Sequence, residues 1–284
     1  MHIGVFIFAT DYAIDISELA RALEERGFES LFLPEHTHIP TSRKTPFRGG
    51  EPLPKEYLHT YDPFVALSFA AAATTKLRLG TGICLVPQRD PITTAKCVAS
   101  LDRLSGGRFI FGIGGGWNVD EMENHGARYA TRFKLLRERV LAMKALWTEE
   151  EAAFHGEMVD FDPVWSYPKP VQKPHPPVIV GGAFPHGARR AIAFGDGWMP
   201  HISRQQYGDV TEFLQRFRQM AAEGGRDPET FPVTAWACSE DADRLKRYSN
   251  LGIVRACVSL PSEKEDTILP VLDRWAGLIR AVNG

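Results

Sequence analysis

The sequence predicts an α/β fold of the (β/α)8 type, a TIM barrel, as one domain over residues 1–284. Three observations carry this. Short apolar or β-branched runs alternate with amphipathic stretches, which implies a parallel sheet covered by helices. The alternation occurs eight times, with no internal repeat and no linker-like break in composition. The length of 284 residues suits eight strand–helix units, which need about 250 residues. An open doubly wound sheet would share the alternation, and the count of eight favours closure.

In chain order, Ile3–Phe8 reads as the first strand. Ile16–Arg26 is its helix, with Asp15 or Ser17 as cap and Gly27 as stop. Ser30–Leu33 is the second strand, ended by Pro34. Residues 36–61 are rich in Pro, Gly and charge and read as a long loop, the kind that forms a lid or a binding segment. Asp62-Pro63 opens an Ala-rich helix to Thr75. Asp at the cap and Pro at the first helical position suit the unpaired N–H groups there. Leu77–Ile83 is strand three and Pro91–Arg103 its helix. Arg108–Ile113 is strand four, and Arg128–Trp147 has helical periodicity.

Residues 149–177 form a second long insertion, whose closing proline run excludes a central strand or helix. Val178–Val180, Gly197–Met199, Phe231–Ala235 and Ile253–Val258 read as strands five to eight. Ala188–Phe194, Gln205–Ala222, Asp241–Ser249 and Ser262–Val282 are their helices.

Composition narrows the function. Hydrophobic residues make up 44% of the chain and charged residues 24%, as in ordinary globular proteins. The net charge is −2 with no basic cluster, so nucleic acid is not expected as a partner. The apolar N-terminus is short, lacks a basic region and meets Asp11 and Asp15 at once, as a first strand would. No run reaches the roughly 18 apolar residues of a membrane span. Cys84, Cys97, Cys238 and Cys257 form no Cys-x-x-Cys pair and read as reduced thiols, which suits the cytoplasm.

Function in a barrel collects where strands end. Four such places stand out. After strand two comes Pro34-Glu35-His36-Thr37-His38. A histidine there can exchange a proton near neutral pH. His36 and His38, with His201, also admit a metal reading, but no carboxylate set completes it, and no metal is expected. A structural histidine is the plain alternative. Strand three ends Leu79-Gly80-Thr81-Gly82-Ile83, where glycines mark a bulge or a close approach of backbone to ligand; a corner kink is the alternative. After strand four, Gly114-Gly115-Gly116-Trp117-Asn118 can turn with positive φ and bare its N–H groups, or be a tight turn only. Trp117 breaks the Gly-x-Gly-x-x-Gly pattern, so a dinucleotide fingerprint is excluded. After strand five, Gly181-Gly182-Ala183 leads into a helix N-terminus, which favours a phosphate.

Together these stretches, with Leu101-Asp102-Arg103-Leu104-Ser105-Gly106-Gly107-Arg108, Glu121 and Tyr167-Pro168-Lys169-Pro170-Val171-Gln172, resemble the luciferase-like monooxygenase superfamily. They look closest to its oxidoreductases that use coenzyme F420, a deazaflavin. The likeness runs to about Pro200. It implies a cofactor in the barrel mouth, either F420 or, alternatively, FMN, with a cis peptide at Gly82-Ile83 behind its ring. It also implies phosphate at Gly181-Gly182 and a proton-transfer role for His36, with Glu35 as its orienter or as a ring contact. In the family's sugar-phosphate dehydrogenases a catalytic Glu stands where this chain has Trp117, which disfavours that activity. Trp117 is expected to stack on the ring, wall the pocket or fill the space under a loop. The expected activity is hydride transfer between F420 and a small organic substrate, in a homodimer. An FMN-dependent monooxygenase, with Trp117 and Trp198 shielding its oxygen chemistry, is the alternative. A non-catalytic flavin-binding protein is a further one.

Overall fold

A computed structural model describes residues 1–48, 50–202 and 210–283. The first strand, β1 (His2–Phe6), is followed by α1 (Ile16–Glu25), β2 (Ser30–Leu33), α2 (Glu56–His59) and α3 (Pro63–Ala73). Next come β3 (Arg78–Thr81), β4 (Cys84–Leu85), α4 (Pro91–Leu104), β5 (Phe109–Gly114), α5 (Val119–Asn124) and α6 (Arg132–Thr148). A hairpin of β6 (Ala152–His155) and β7 (Asp160–Val164) precedes β8 (Val178–Gly181), α7 (His186–Phe194) and β9 (Gly197–Met199). The chain continues through α8 (Val210–Glu223), β10 (Thr234–Cys238), α9 (Ala242–Asn250), β11 (Arg255–Ser259) and α10 (Glu265–Asn283).

The parallel strands run in the order β10-β11-β1-β2-β3-β5-β8-β9. The remaining seam, between β9 and β10, is bridged by Trp198 N to Pro232 O at 2.9 Å and Trp236 N to Pro200 O at 3.0 Å. The result is the expected (β/α)8 barrel. Helix starts follow the local chemistry. Asp15 Oδ1 accepts from Ser17 N at 2.8 Å, Asp62 Oδ1 from Phe64 N at 2.9 Å and Asp90 Oδ1 from Thr93 N at 2.7 Å. These bonds satisfy donors that the first helical turn leaves unpaired.

Phe32, Ile110, Ile179, Met199, Trp236 and Cys257 fill the barrel interior. Gly80 and Gly82 make room for the largest of them. A Cβ on Gly80 would lie 2.3 Å from Phe32 Cε1, and one on Gly82 2.2 Å from Trp236 Cη2. The two glycines thus serve interior packing as well as the turn at the strand end. At the N-terminal end of the barrel, Arg255 closes the interior with a two-pronged pair to Glu29, at 2.7 and 2.6 Å.

Several elements differ from expectation. The 36–61 loop contains α2, and α5 follows the strand-four glycines. The helix expected from Arg128 starts at Arg132, after a 3-10 turn at Tyr129–Thr131. The insertion at 149–177 carries the β6–β7 hairpin, whose turn side is held by buried Glu138 accepting from Met158 N at 2.7 Å. The proline run after it is irregular as expected, pinned where Asp102 Oδ2 accepts from Val171 N at 2.7 Å. Strand seven lies three residues later than expected, at Thr234–Cys238; Pro232 has no N–H for the ladder. Of the helix expected over Gln205–Ala222, residues 205–209 lie outside the described residues. Among the described residues, no helix is long and apolar enough to cross a membrane. All four cysteines are free.

Candidate active site

The site lies at the C-terminal ends of the strands. His36, in the loop after β2, carries its imidazole between two partners. Its Nδ1 is 2.8 Å from Glu121 Oε2, and Trp117 Nε1 donates to its Nε2 at 3.3 Å. The indole nitrogen is a donor only. His36 Nε2 therefore accepts, and the ring proton sits on Nδ1, pointing at the Glu121 carboxylate. The two side chains of this pair are 6% and 0% exposed, so water does not compete for the bond.

Glu121 owes its place to α5. Asn118 caps that helix, its Oδ1 accepting from Glu121 N at 3.3 Å. The Asn118-x-x-Glu121 spacing is that of a capping box, but the carboxylate turns to His36 instead of back to the cap. The long loop after β2 closes over the pair. Tyr57 packs on the His36 ring at 5.0 Å, and Phe47 packs on Tyr57 at 5.1 Å and on Trp117 at 5.5 Å. Trp117 thus walls the site under this loop and touches the histidine directly.

Glu35 has another task than the one expected of it. It makes no hydrogen bond to His36. Its Oε2 accepts from Leu85 N at 2.6 Å, and its Oε1 pairs with Arg89, which also pairs with Asp62. With 2% exposure it is a buried strut joining β2 to the β4 turn and α3. The carboxylate that orients His36 is Glu121. Sequence reasoning quoted Glu121 but gave it no role; the capping spacing was the available signal.

The Gly82-Ile83 peptide is cis. It sets the half-buried Ile83 side chain across the mouth, on the bare backbones of Gly114 and Gly181. A Cβ at Gly114 would lie 1.9 Å from Ile83 Cδ1, and one at Gly181 3.1 Å from Ile83 Cγ2. Gly115 lies against Phe133, and Gly116 takes a φ of 73° to turn the chain into Trp117. Gly182, with φ 140°, packs on Gly187, while Ala183 O accepts from Gly187 N at 2.6 Å. The helix α7 that starts here has no side-chain cap. The expected residues His36, Ile83, Gly114–Gly116, Trp117 and Gly181–Ala183 therefore form one rim. Trp198, expected as a shield, is fully buried and donates to Gly182 O at 2.9 Å. It braces the turn from below.

His38 does not join His36. Its ring nitrogens meet Thr37 Oγ1 at 3.0 Å and Asn124 Nδ2 at 2.9 Å. Thr37 also meets His125 Nε2 at 2.7 Å, and burial, then the His38 charge, lower the His125 pKa. His201 bridges to Trp236 across the barrel seam. Among the described residues, no group of three or more His, Cys, Asp or Glu side chains is placed to hold a metal.

The mouth of a closed parallel barrel thus brings together a buried carboxylate–histidine pair and two glycine turns. The chain matches the luciferase-like monooxygenase family over residues 1–258, and it belongs to that family, whose members are oxidoreductases. An uncharacterised protein of Mycobacterium tuberculosis is 40% identical over 282 residues, covering 97% of this chain and 98% of the relative. An F420-dependent hydroxymycolic acid dehydrogenase of the same organism is 28% identical, covering 90% of this chain and 70% of that protein. The crystal structure of a monooxygenase from Streptomyces bottropensis superposes with a TM-score of 0.80 at 21% identity, over 100% of both chains.

Proposed function

We propose that this protein binds coenzyme F420 in the barrel mouth and exchanges a hydride between it and a small organic substrate, with His36 moving the accompanying proton. The observation that carries the reading is the fixed tautomer of His36. Glu121 holds the proton on Nδ1, which makes Nε2 the basic nitrogen; a substrate oxygen that gives it a proton or, in the reverse direction, takes one back displaces the Trp117 N–H from its single lone pair. The residues around the mouth suit a planar heteroaromatic ligand. Ile83 offers an apolar platform, and Gln88 Nε2 and Oε1, Asn118 Nδ2 and Glu121 Oε1 are buried polar atoms with no partner among the described residues. Gly114–Gly116 and Gly181–Ala183 allow the ligand to approach backbone closely. When bound, the deazaflavin supplies the two-electron chemistry. The chain itself orients His36, excludes water with Phe47, Tyr57 and Trp117, and holds the cofactor's phosphate at the turn before α7.

FMN on the same barrel, in monooxygenase chemistry, is the second reading. The aromatic cover of Phe47, Tyr57 and Trp117 favours it, because oxygen chemistry needs a dry site. We also expect a cytoplasmic homodimer; Val65 and Phe69, on one face of α3, are 60% and 61% exposed, and a partner copy is the simplest cover for them. Titration of the apo-protein with F420 and, separately, FMN, followed by cofactor fluorescence, tests the assignment. Tight binding of F420 alone supports hydride transfer. Preference for FMN moves the assignment to oxygen activation, and binding of neither removes both.

A further inference from the structure

The barrel mouth has two unlike halves. The glycine turns stand at the ends of β5 and β8, and in the closed ring of strands β11 and β1 lie directly across from them. On that far side the side chains are aromatic. Trp236 of β10 packs on Phe6 with centroids 4.7 Å apart, and Phe6 packs on Phe8 at 5.5 Å. Phe8 packs on Tyr57 at 4.5 Å, and Tyr57 on the His36 ring at 5.0 Å. The row therefore begins over the barrel interior and ends on the imidazole. Phe6 and Tyr57 are half-buried, so the row forms a wall of the mouth as well as a lid on the core.

A backbone feature holds this wall in place. The pairing of β10 with β11 shifts register between Trp236 and Cys238, and Ala237, the residue inserted there, has a φ of 64°. The left-handed region is unfavourable for a residue with a Cβ, and it persists where the surroundings fix it, commonly at ligand sites. A bulge also re-aims the side chains beside it. Here the Trp236 ring lies against Phe6, Phe32 and the bare backbone of Gly82, and Ala237 packs on the same interior cluster as Phe6 and Ile83. The charges of the adjoining segments are turned elsewhere. Asp11 pairs with His59 at 2.9 Å, Lys264 Nζ donates to Ala13 O at 3.5 Å, and Glu35 pairs with Arg89. Glu121 faces the other nitrogen of the imidazole, Nδ1.

We propose that this row is the substrate wall, and that the substrate is a neutral molecule carrying its reacting oxygen on an apolar body about the size of one ring. The oxygen meets His36 Nε2 at one end of the row, and the body lies on Phe8, Phe6 and Trp236. Apolar area removed from water there drives binding, and tilted rings suit an aromatic or alicyclic ligand. A phosphorylated, carboxylate or ammonium compound loses its hydration against the rings and gains no partner. The role of His36 rests on the function proposed above; the preference of the wall does not.

The test uses ketone probes that share one carbonyl group: acetone, acetophenone, para-acetylbenzoate and para-acetylphenyl-trimethylammonium. Dissociation constants are measured by calorimetry for the apo-protein and for the protein loaded with whichever cofactor it binds. Acetophenone is expected to bind about 10-fold or more tighter than acetone, from the apolar area its ring buries. It is expected to bind about 100-fold tighter than either charged probe. Phe6→Lys is expected to reverse the order of acetophenone and para-acetylbenzoate. Tyr57→Leu, in the covering loop and outside the barrel strands, is expected to weaken acetophenone about 3- to 10-fold and to leave acetone unchanged. A charged probe that binds the native protein as tightly as acetophenone overturns the proposal, as does acetone binding equally well. If the protein binds neither F420 nor FMN while the apo-protein keeps the preference, the wall stands and the cofactor reading falls. If it binds a cofactor and shows no preference, the wall falls and the cofactor reading stands.

Discussion

Replacing Glu35 separates scaffolding from catalysis, because its place in the sequence suggests chemistry and its contacts in the fold are structural. Its carboxylate accepts from Leu85 N at 2.6 Å and pairs with Arg89, whose side chain is 17% exposed while that of Glu35 is 1% exposed. Removing one partner of a buried pair costs about 3–5 kcal/mol. In Glu35→Gln the amide oxygen still accepts from Leu85 N, and Arg89 keeps Asp62, so a loss at or just below the lower end of that range, about 2–3 kcal/mol, is expected. Glu35→Ala also strands the Leu85 N–H and leaves a cavity, which adds about 1–3 kcal/mol. With about 2–4 °C of Tm per kcal/mol in a chain of this size, Gln lowers Tm by about 4–12 °C and Ala by more. Thermal and urea unfolding of the apo-proteins read this directly, with kcat measured well below the reduced Tm. A Glu35→Gln protein with native Tm and a kcat lowered more than tenfold would refute the strut and restore the catalytic role.

The remaining predictions concern the site and its supports. His36→Ala is expected to lower kcat about 10²–10⁴-fold, the worth of a positioned proton donor or acceptor, with the cofactor Kd unchanged; an unchanged kcat removes the assignment. Glu121→Gln is expected to lower kcat about 10- to 100-fold by weakening one charge-assisted bond, and nitrogen NMR of the imidazole should show the proton leaving Nδ1; a retained Nδ1 proton and full rate argue against the orienting role. Gly114→Ala is expected to abolish cofactor binding, because its Cβ would sit 1.9 Å from Ile83 Cδ1 and push that side chain off the mouth; a native Kd contradicts the platform.

Acid should destabilise the fold in two stages. Burial lowers the His175 pKa from its ordinary 6.5, so the unfolded chain takes up that proton first and stability declines as pH falls below that value. Burial opposes the charge of Glu29, but the hydrogen bond and charge of Arg255 outweigh it and hold Glu29 below the usual carboxylate range. Its contribution is complete above the unfolded value of about 4.3 and fades as pH falls through the lower folded pKa. A Tm that stays flat down to pH 4 would contradict the His175 stage.

Much of the fold was legible because its signals are local. Asp-Pro at 62–63 and 90–91 marks helix starts through unpaired N–H groups, and β-branched runs mark buried strands. Those effects need only near neighbours in the chain. The α5 helix, the β6–β7 hairpin and the displacement of β10 were not legible, since each depends on a distant partner: Glu121 reaching His36, Glu138 holding the hairpin, and Trp198 N claiming Pro232 O.

The candidate site divides in the same way. The glycine turns and His36 announce themselves by residue type at strand ends, so the sequence alone determined the barrel, the mouth and the histidine. Which acid serves that histidine was decided only by tertiary structure. Glu35 is its neighbour in the chain, yet successive residues there point apart, and Glu35 turns inward to Leu85 and Arg89. Glu121 stands 85 residues away in sequence and 2.8 Å away in space. The row of rings from Trp236 to Tyr57 has the same origin, since β10, β1 and the loop after β2 meet only once the barrel closes. Hydrogen bonds and charge act through distance in space, and a sequence pattern records only distance along the chain.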